Sequence, residues 1–212
     1  MFITFEGIDG SGKSTHAALL CEWLQAKGYR VQLLREPGAT PLAEAVRSIL
    51  LDVQLRIDPI AELMLFCAAR RQLVQDVIRP ALADGQVVIS DRYADSTVAY
   101  QGYGRGLELD MVTSIIRYAI GNVVPDITFV LDVDVATALR RQGQRRQVNT
   151  DRMEDVPEHF FERVRKGYHT IAANEPERVV LLDGKQPVES LHARICAVVM
   201  ERLMQSHREV VA

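Results

Sequence analysis

Residues Gly7–Ser14 read "GIDGSGKS". The glycines, lysine and serine satisfy the pattern GxxxxGK[ST], and the flanks decide what that pattern means. Before it lies "FITFE", residues 2–6, short, mostly apolar and rich in aromatic and β-branched side chains, hence a strand. After it comes "THAALLCEWLQAKG", residues 15–28, apolar at helical spacing and ending on a glycine. In such a strand–turn–helix unit the backbone N–H groups converge on one spot, and Gly7, Gly10 and Gly12 supply the freedom to do so. The helix adds its positive N-terminus. The expected phosphate site is therefore Gly7, Gly10, Ser11, Gly12, Lys13, Ser14 and Thr15. Lys13 would reach the β- and γ-phosphates of a nucleotide, and the Ser14 hydroxyl would bind Mg²⁺. Asp9 is the oddity, a carboxylate in the middle of a loop built for anions.

Outward from this loop the chain is regular. Apolar runs at 2–5, 31–34, 87–89, 127–131 and 179–182 alternate with helical patterns at 15–27, 41–51, 59–83, 109–120, 135–142, 158–173 and 188–205. Near-continuous apolar runs are strands covered on both faces. Strands alternating with helices predict an α/β fold with a central five-stranded parallel sheet between helical layers. Gly28, Gly85 and Gly184 fall at the expected turns, and no repeat or linker interrupts residues 1–212, so a single domain is expected.

Composition bounds the function. The 212 residues carry a net charge of −3 and are 48% hydrophobic, which argues against a general nucleic-acid or anionic-membrane binder. Cys21, Cys67 and Cys196 lie far apart, and five histidines show no metal-ligand spacing. "MFITFEG" lacks a signal-peptide pattern, and no apolar run approaches the roughly 20 residues of a membrane span, so a cytoplasmic protein is expected.

A phosphate loop names a nucleotide, not a reaction. Three classes compete: a small-molecule kinase, a GTPase-type switch and an ATPase motor or nucleotide-dependent binding module. A switch would read guanine through an NKxD-like segment, which is absent, and the one DxxG, Asp9–Gly12, lies inside the loop itself. A motor needs more chain for coupling elements. A kinase needs a second anion site and a cover that excludes water. "DRYADSTVAYQGYGRG", residues 91–106, follows a strand, where α/β sheets bind ligands. There Asp91 would orient water on Mg²⁺, and Arg92 would fork onto a phosphate or else form a local salt bridge. "RRQGQRRQVNTDR", residues 140–152, is the candidate lid, with Gly143 as a hinge. Lys13 is the loop's lone cation, so Arg140, Arg145, Arg146 or Arg152 would bring the further positive charge that phosphoryl transfer needs.

These stretches together resemble the thymidylate kinase family of P-loop nucleoside-monophosphate kinases. The resemblance runs through "FITFEGIDGSGKST", "REPGAT", "LFCAARRQ", "SDRYADSTVAYQG", "PDITFVLDV", "DRMED" and "LLDG". It is to members with an arginine-rich lid and no basic residue within the loop apart from the lysine. It implies a three-layer P-loop kinase fold, transfer from ATP to dTMP with Mg²⁺, and a homodimer. One departure is Ala39, where the family often has glycine; an L-residue there predicts a slightly different loop.

The resemblance assigns the acceptor side position by position. Asp9 faces the sugar near its 3′-hydroxyl, Arg47 and Arg92 bind the acceptor phosphate, and Glu36 and Pro37 run along the acceptor. Phe66 stacks on thymine while Arg70, four residues on and on the same helical face, donates to its O4. Thr97 and Gln101 contact the base edge, and Tyr100 crowds the sugar's 2′ side. The helix carrying Phe66 should start at Pro59 with Asp58 as its cap. Its second apolar stripe, Ile60, Met64, Cys67 and Val74, is too apolar for a solvated face and fits a homodimer contact.

Overall fold

The computed structural model describes the backbone of residues 1–145, 152 and 156–211, and the side chains of these except 144, 145 and 206–211. Five parallel strands, β1 (Phe2–Glu6), β2 (Val31–Arg35), β3 (Val87–Asp91), β4 (Ile127–Asp132) and β5 (Val179–Asp183), form one sheet in the order β2-β3-β1-β4-β5. Strand β1 lies at the centre, with Phe5 level with Asp91 of β3 and Phe129 of β4.

The period-2 alternation of the strands sorts their side chains into two layers. Ile3, Phe5, Ile89 and Phe129 pack with Leu20 and Leu24 of α1 (Lys13–Ala26) and Ile195 and Val199 of α9 (Val188–Val211). Phe2 and Val88 point the other way, onto Leu63 and Leu73 of α3 (Pro59–Leu73) and Val112 of α6 (Leu109–Ile120). Val130 joins Phe161 and Val164 of α8 (Glu158–Asn174) in a third cluster. The expected three-layer α/β architecture is thus what the chain adopts. Because β3 and β4 flank β1 and the chain crosses over it, the C-terminal ends of β1 and β3 form a crevice of the kind where α/β sheets take ligands.

Helix α2 spans Pro41–Leu51, as its pattern predicts. The helix expected over 59–83 is broken: α3 gives way to a π-helical turn at Val74–Ile78 before α4 (Arg79–Ala83). Pro80 has no N–H and crowds the carbonyl four residues back, so the ladder widens ahead of it. A second π-turn, Val98–Gly104, extends α5 (Ala94–Thr97). Helix α7 runs from Val135 to Arg145, so Gly143 lies inside a helix rather than at the expected hinge.

Candidate active site

The phosphate loop is held by positive φ at Gly7 (138°), Gly10 (84°) and Gly12 (101°). At Gly10 a side chain is also excluded by space, because a Cβ would meet the Ala138 carbonyl oxygen at 2.5 Å. Lys13 is buried, and its Nζ donates to Asp9 Oδ1 at 3.1 Å. Arg92 donates to the same oxygen at 2.6 Å and to the Gly7 carbonyl at 3.2 Å, while the Tyr100 hydroxyl donates to Asp9 Oδ2 at 3.2 Å. Burial works to raise the Asp9 carboxyl, but Arg92 and Lys13 outweigh it and hold it well below the usual carboxylate range. The carboxylate is therefore the shared counter-ion of two cations, and Arg92 pairs with Asp9, not with its neighbour Asp91. Arg92 itself sits at φ 75°, a strained conformation for a non-glycine residue.

Asp91, at the end of β3, accepts a short hydrogen bond from the Ser14 hydroxyl through Oδ2. Its Oδ1 is buried without a hydrogen-bond partner among the described residues. A hydroxyl and a carboxylate side by side, with one buried oxygen left over, are a donor set that suits a hard divalent cation.

Beside the loop opens a cleft, the concave form that small-ligand sites take. All ten acceptor candidates line it: Asp9, Glu36, Pro37, Arg47, Phe66, Arg70, Arg92, Thr97, Tyr100 and Gln101. Leu51 and Ser96 complete the wall and were not anticipated. Asp58 caps α3 by accepting from the N–H groups of Ile60 and Ala61, as its position predicts. That helix then carries Phe66 and Arg70 to the cleft. The π-turn after α5 brings Tyr100 and Gln101 to it.

Arg70 is fully buried and extensively bonded. Its Nε donates to Glu36 at 2.7 Å, and its terminal nitrogens donate to Thr97 Oγ1 at 2.8 Å and the Tyr93 carbonyl at 2.9 Å. Three of its five N–H groups are engaged in these bonds, so it is positioned before any ligand arrives. Burial lifts the Glu36 carboxyl above its usual range, with Arg70 opposing, and Glu36 Oε1 is buried without a partner among the described residues. Arg47 donates to the Pro37 carbonyl at 3.1 Å. Ala39 adopts φ 67°, so the loop keeps a left-handed turn despite the missing glycine, and the sequence expectation is corrected: alanine bears the strain.

Two buried carboxylates behind the cleft escaped the sequence reading. Glu6, at the end of β1, accepts from the Tyr93 N–H at 2.7 Å, the Ser96 hydroxyl at 2.5 Å and the Tyr168 hydroxyl at 2.9 Å. It thereby fixes Ser96, which accepts from Arg92 at 3.0 Å. Burial, then the nearby Asp95, pushes the Glu6 carboxyl up to about 7. Glu62 of α3 pairs with Gln101, Arg105 and Arg152.

The lid candidates separate. Arg140 is exposed midway along α7. The Arg145 side chain and Arg146 lie outside the described residues. Arg152 turns away from the phosphate loop: its guanidinium lies 2.6 Å from Glu62 and donates to the Leu50 carbonyl at 2.8 Å. Among the described lid residues Arg141 reaches the loop, donating to the Gly10 carbonyl at 3.4 Å and the Gly184 carbonyl at 3.0 Å. Helical phase was the available signal, since Arg141 follows the buried Val135 and Ala138 at intervals of three. Cys67 on α3 and Val74 in the π-helical turn after it are core residues, so the second apolar stripe shrinks to the exposed Ile60 and Met64.

A phosphate loop opening onto a cleft lined by Arg47, Arg70 and Arg92, on this sheet, is the arrangement of a P-loop nucleotide kinase. A family model described as thymidylate kinase matches residues 5–195. The thymidylate kinase of Chlorobium chlorochromatii is 49% identical, with 96% of each chain covered. That of Deinococcus radiodurans is 45% identical over 95% of this chain and 97% of its own. The solved thymidylate kinase of Ehrlichia chaffeensis superposes with a TM-score of 0.78 at 38% identity, covering 94% of this chain and 98% of its own. The chain belongs to the thymidylate kinase family, and it is a nucleoside-monophosphate kinase.

Proposed function

We propose that this kinase transfers the γ-phosphoryl group of ATP to the phosphate of dTMP, giving ADP and dTDP on the route to dTTP. The observation that carries the reading is the cleft lined by Arg70, Phe66 and Gln101 at one side and by Asp9 and Arg92 at the phosphate loop. Thymine would stack on Phe66 with Arg70 donating to O4 and Gln101 at the base edge. Tyr100 would close the space beside C2′, Asp9 would take the 3′-hydroxyl, and Arg92 and Arg47 would hold the acceptor phosphate, with Glu36 and Pro37 running along the acceptor and Thr97 beside Arg70.

The donor phosphates would lie in the nest of Gly7–Thr15 with Lys13 on the β- and γ-oxygens. Ser14 and Asp91 would hold Mg²⁺, which supplies charge neutralisation at the donor phosphates. The attacking phosphate oxygen is already ionised, so the chain needs no strong general base. Its work is alignment and neutralisation: Arg92 and Lys13 meet the negative charge from two sides, and lid arginines among Arg140, Arg145, Arg146 and Arg152 would add to it on closure.

The chain would act as one domain in the cytoplasm. Among the described residues no helix is long and apolar enough to cross a membrane. Ile60 and Met64, 41% and 56% exposed on α3, support a homodimer through that face, and a mass near 23.8 kDa by light scattering at micromolar concentration would refute it. The reaction itself is tested by ADP release coupled to NADH oxidation across thymidine, dTMP, dUMP and dCMP. dTMP should give the highest kcat/KM and thymidine none. Turnover with thymidine but not with dTMP would overturn the assignment.

A further inference from the structure

Gln101 faces the acceptor cleft, and a primary amide is by itself a poor judge of a base. It offers an acceptor at one end and donors at the other, and a half-turn about its last bond exchanges them. What it presents depends on what holds it from behind. Here the holder is Glu62. Gln101 Nε2 donates to Glu62 Oε1 at 2.8 Å, and both residues are 1% exposed. An ionised carboxylate has no hydrogen to give, so the amide's oxygen cannot face it; donor end toward Glu62 is the only orientation that leaves no acceptor pressed against an acceptor.

The lock works only while Glu62 stays charged. Burial alone would raise its carboxyl, but Arg105 and Gln101 through their hydrogen bonds, together with Arg152, bring it below the usual range. Arg105 reaches it at 3.1 Å and Arg152 at 2.6 Å. Arg105 is steadied in turn by the Phe160 ring, 4.9 Å from its guanidinium carbon. Two cations, tied to separate elements, therefore keep one buried carboxylate ionised behind one amide.

We infer that Glu62 is a specificity-determining positioning residue: by fixing the Gln101 amide with its nitrogen inward, it leaves the carbonyl oxygen to accept from the N3–H of a thymine or uracil base and to repel cytosine. The inference rests on the reading of this cleft as the dTMP site. Thymine carries a hydrogen on N3, whereas cytosine carries a lone pair there and an amino group where thymine has O4. Arg70, held by Glu36, Thr97 and Tyr93, offers only donors at its end of the cleft. The two fixed groups thus present donor and acceptor in the order that matches thymine, and cytosine is mismatched at both. An amide free to turn would cancel half of that discrimination.

The test is Glu62→Gln, assayed as kcat/KM for dTMP and dCMP alongside the unaltered enzyme. A neutral amide at position 62 both donates and accepts, so Gln101 is released to turn. The dTMP-to-dCMP ratio should narrow at least about tenfold, the scale of one lost base contact, with dCMP rising in absolute terms. A role confined to holding α3 and the Val98–Gly104 turn together would lower both substrates in proportion, and an unchanged ratio overturns the inference. Should Glu62→Gln lack a cooperative thermal transition, Glu62→Gln with Arg105→Gln removes part of the uncompensated charge and is read by the same ratio. The unaltered enzyme separates the two levels: if it does not prefer dTMP over dCMP, the reading of the cleft fails, whereas a wild-type preference that persists in the variant defeats only the role of Glu62.

Discussion

Asp9→Asn tests the carboxylate that looks misplaced in a phosphate loop. Lys13 Nζ and Arg92 stand 3.1 and 2.6 Å from the same Asp9 oxygen, with side chains 7% and 17% exposed, while Asp9 itself is 30% exposed. Breaking a fully buried pair costs about 3–5 kcal/mol, and the exposure of Asp9 screens part of that. Asparagine keeps one acceptor but no charge, so a loss of about 2 kcal/mol is expected. For a chain of this length that is about 4–8 °C in Tm. The sign with pH follows from the depressed carboxyl. Its stabilisation is complete above the unfolded value of 3.8 and fades as pH falls toward the lower folded value, so the Tm gap should be constant from pH 5 to 8 and shrink below 4. The same change leaves two cations without a counter-ion. Pyrophosphate should therefore raise the Tm of Asp9→Asn by more than it raises that of the unaltered protein, while kcat/KM for dTMP falls. Differential scanning fluorimetry with and without pyrophosphate reads both effects. A variant as stable as the parent, with no larger response to pyrophosphate, would refute the shared counter-ion account.

Lys13→Ala should fold, since among the described residues Lys13 bonds only Asp9 and the Ile8 carbonyl, and should lose nearly all turnover; retained turnover in the ADP-release assay would remove the donor-site assignment. Glu6→Gln should become more stable relative to the parent as pH rises. The raised Glu6 carboxyl contributes fully below its ordinary value of 4.5, and that contribution is lost as pH climbs through about 7. The shift between pH 5 and 8 could reach about 3 kcal/mol in urea melts, and a pH-independent difference would show that Glu6 does not titrate in this range.

What the sequence made legible follows from how each feature is encoded. The phosphate loop was readable because its chemistry needs fixed residue types at fixed spacing between two easily recognised elements. The strand order was not, because near-continuous apolar runs look alike whether central or peripheral; only the packing of Phe2 against Leu63 and of Ile3 against Leu20 separates the faces. Ala39 shows the limit of reading backbone from residue type. The loop's bonds hold it, including its N–H to Glu44 at 2.9 Å, and tertiary context outweighs the preference of one alanine.

Glu62 is the instructive miss. Alone, a glutamate in the first turn of a helix reads as a favourable partner for the helix dipole on a solvated face. Its three partners come from 39, 43 and 90 residues away in the chain, distances at which no local pattern operates. Yet the stripe was present: Glu62, Phe66 and Arg70 repeat at intervals of four on one helix. A helical face that turns an aromatic ring and an arginine toward a ligand turns the residue one turn earlier the same way. The carboxylate in that place is 1% exposed, and a buried carboxylate needs partners. Sequence could thus have placed Glu62 beside the cleft, but not said that an amide from the Val98–Gly104 turn would be the group it holds. That depends on the widened π-helical turn, which sets where Gln101 emerges.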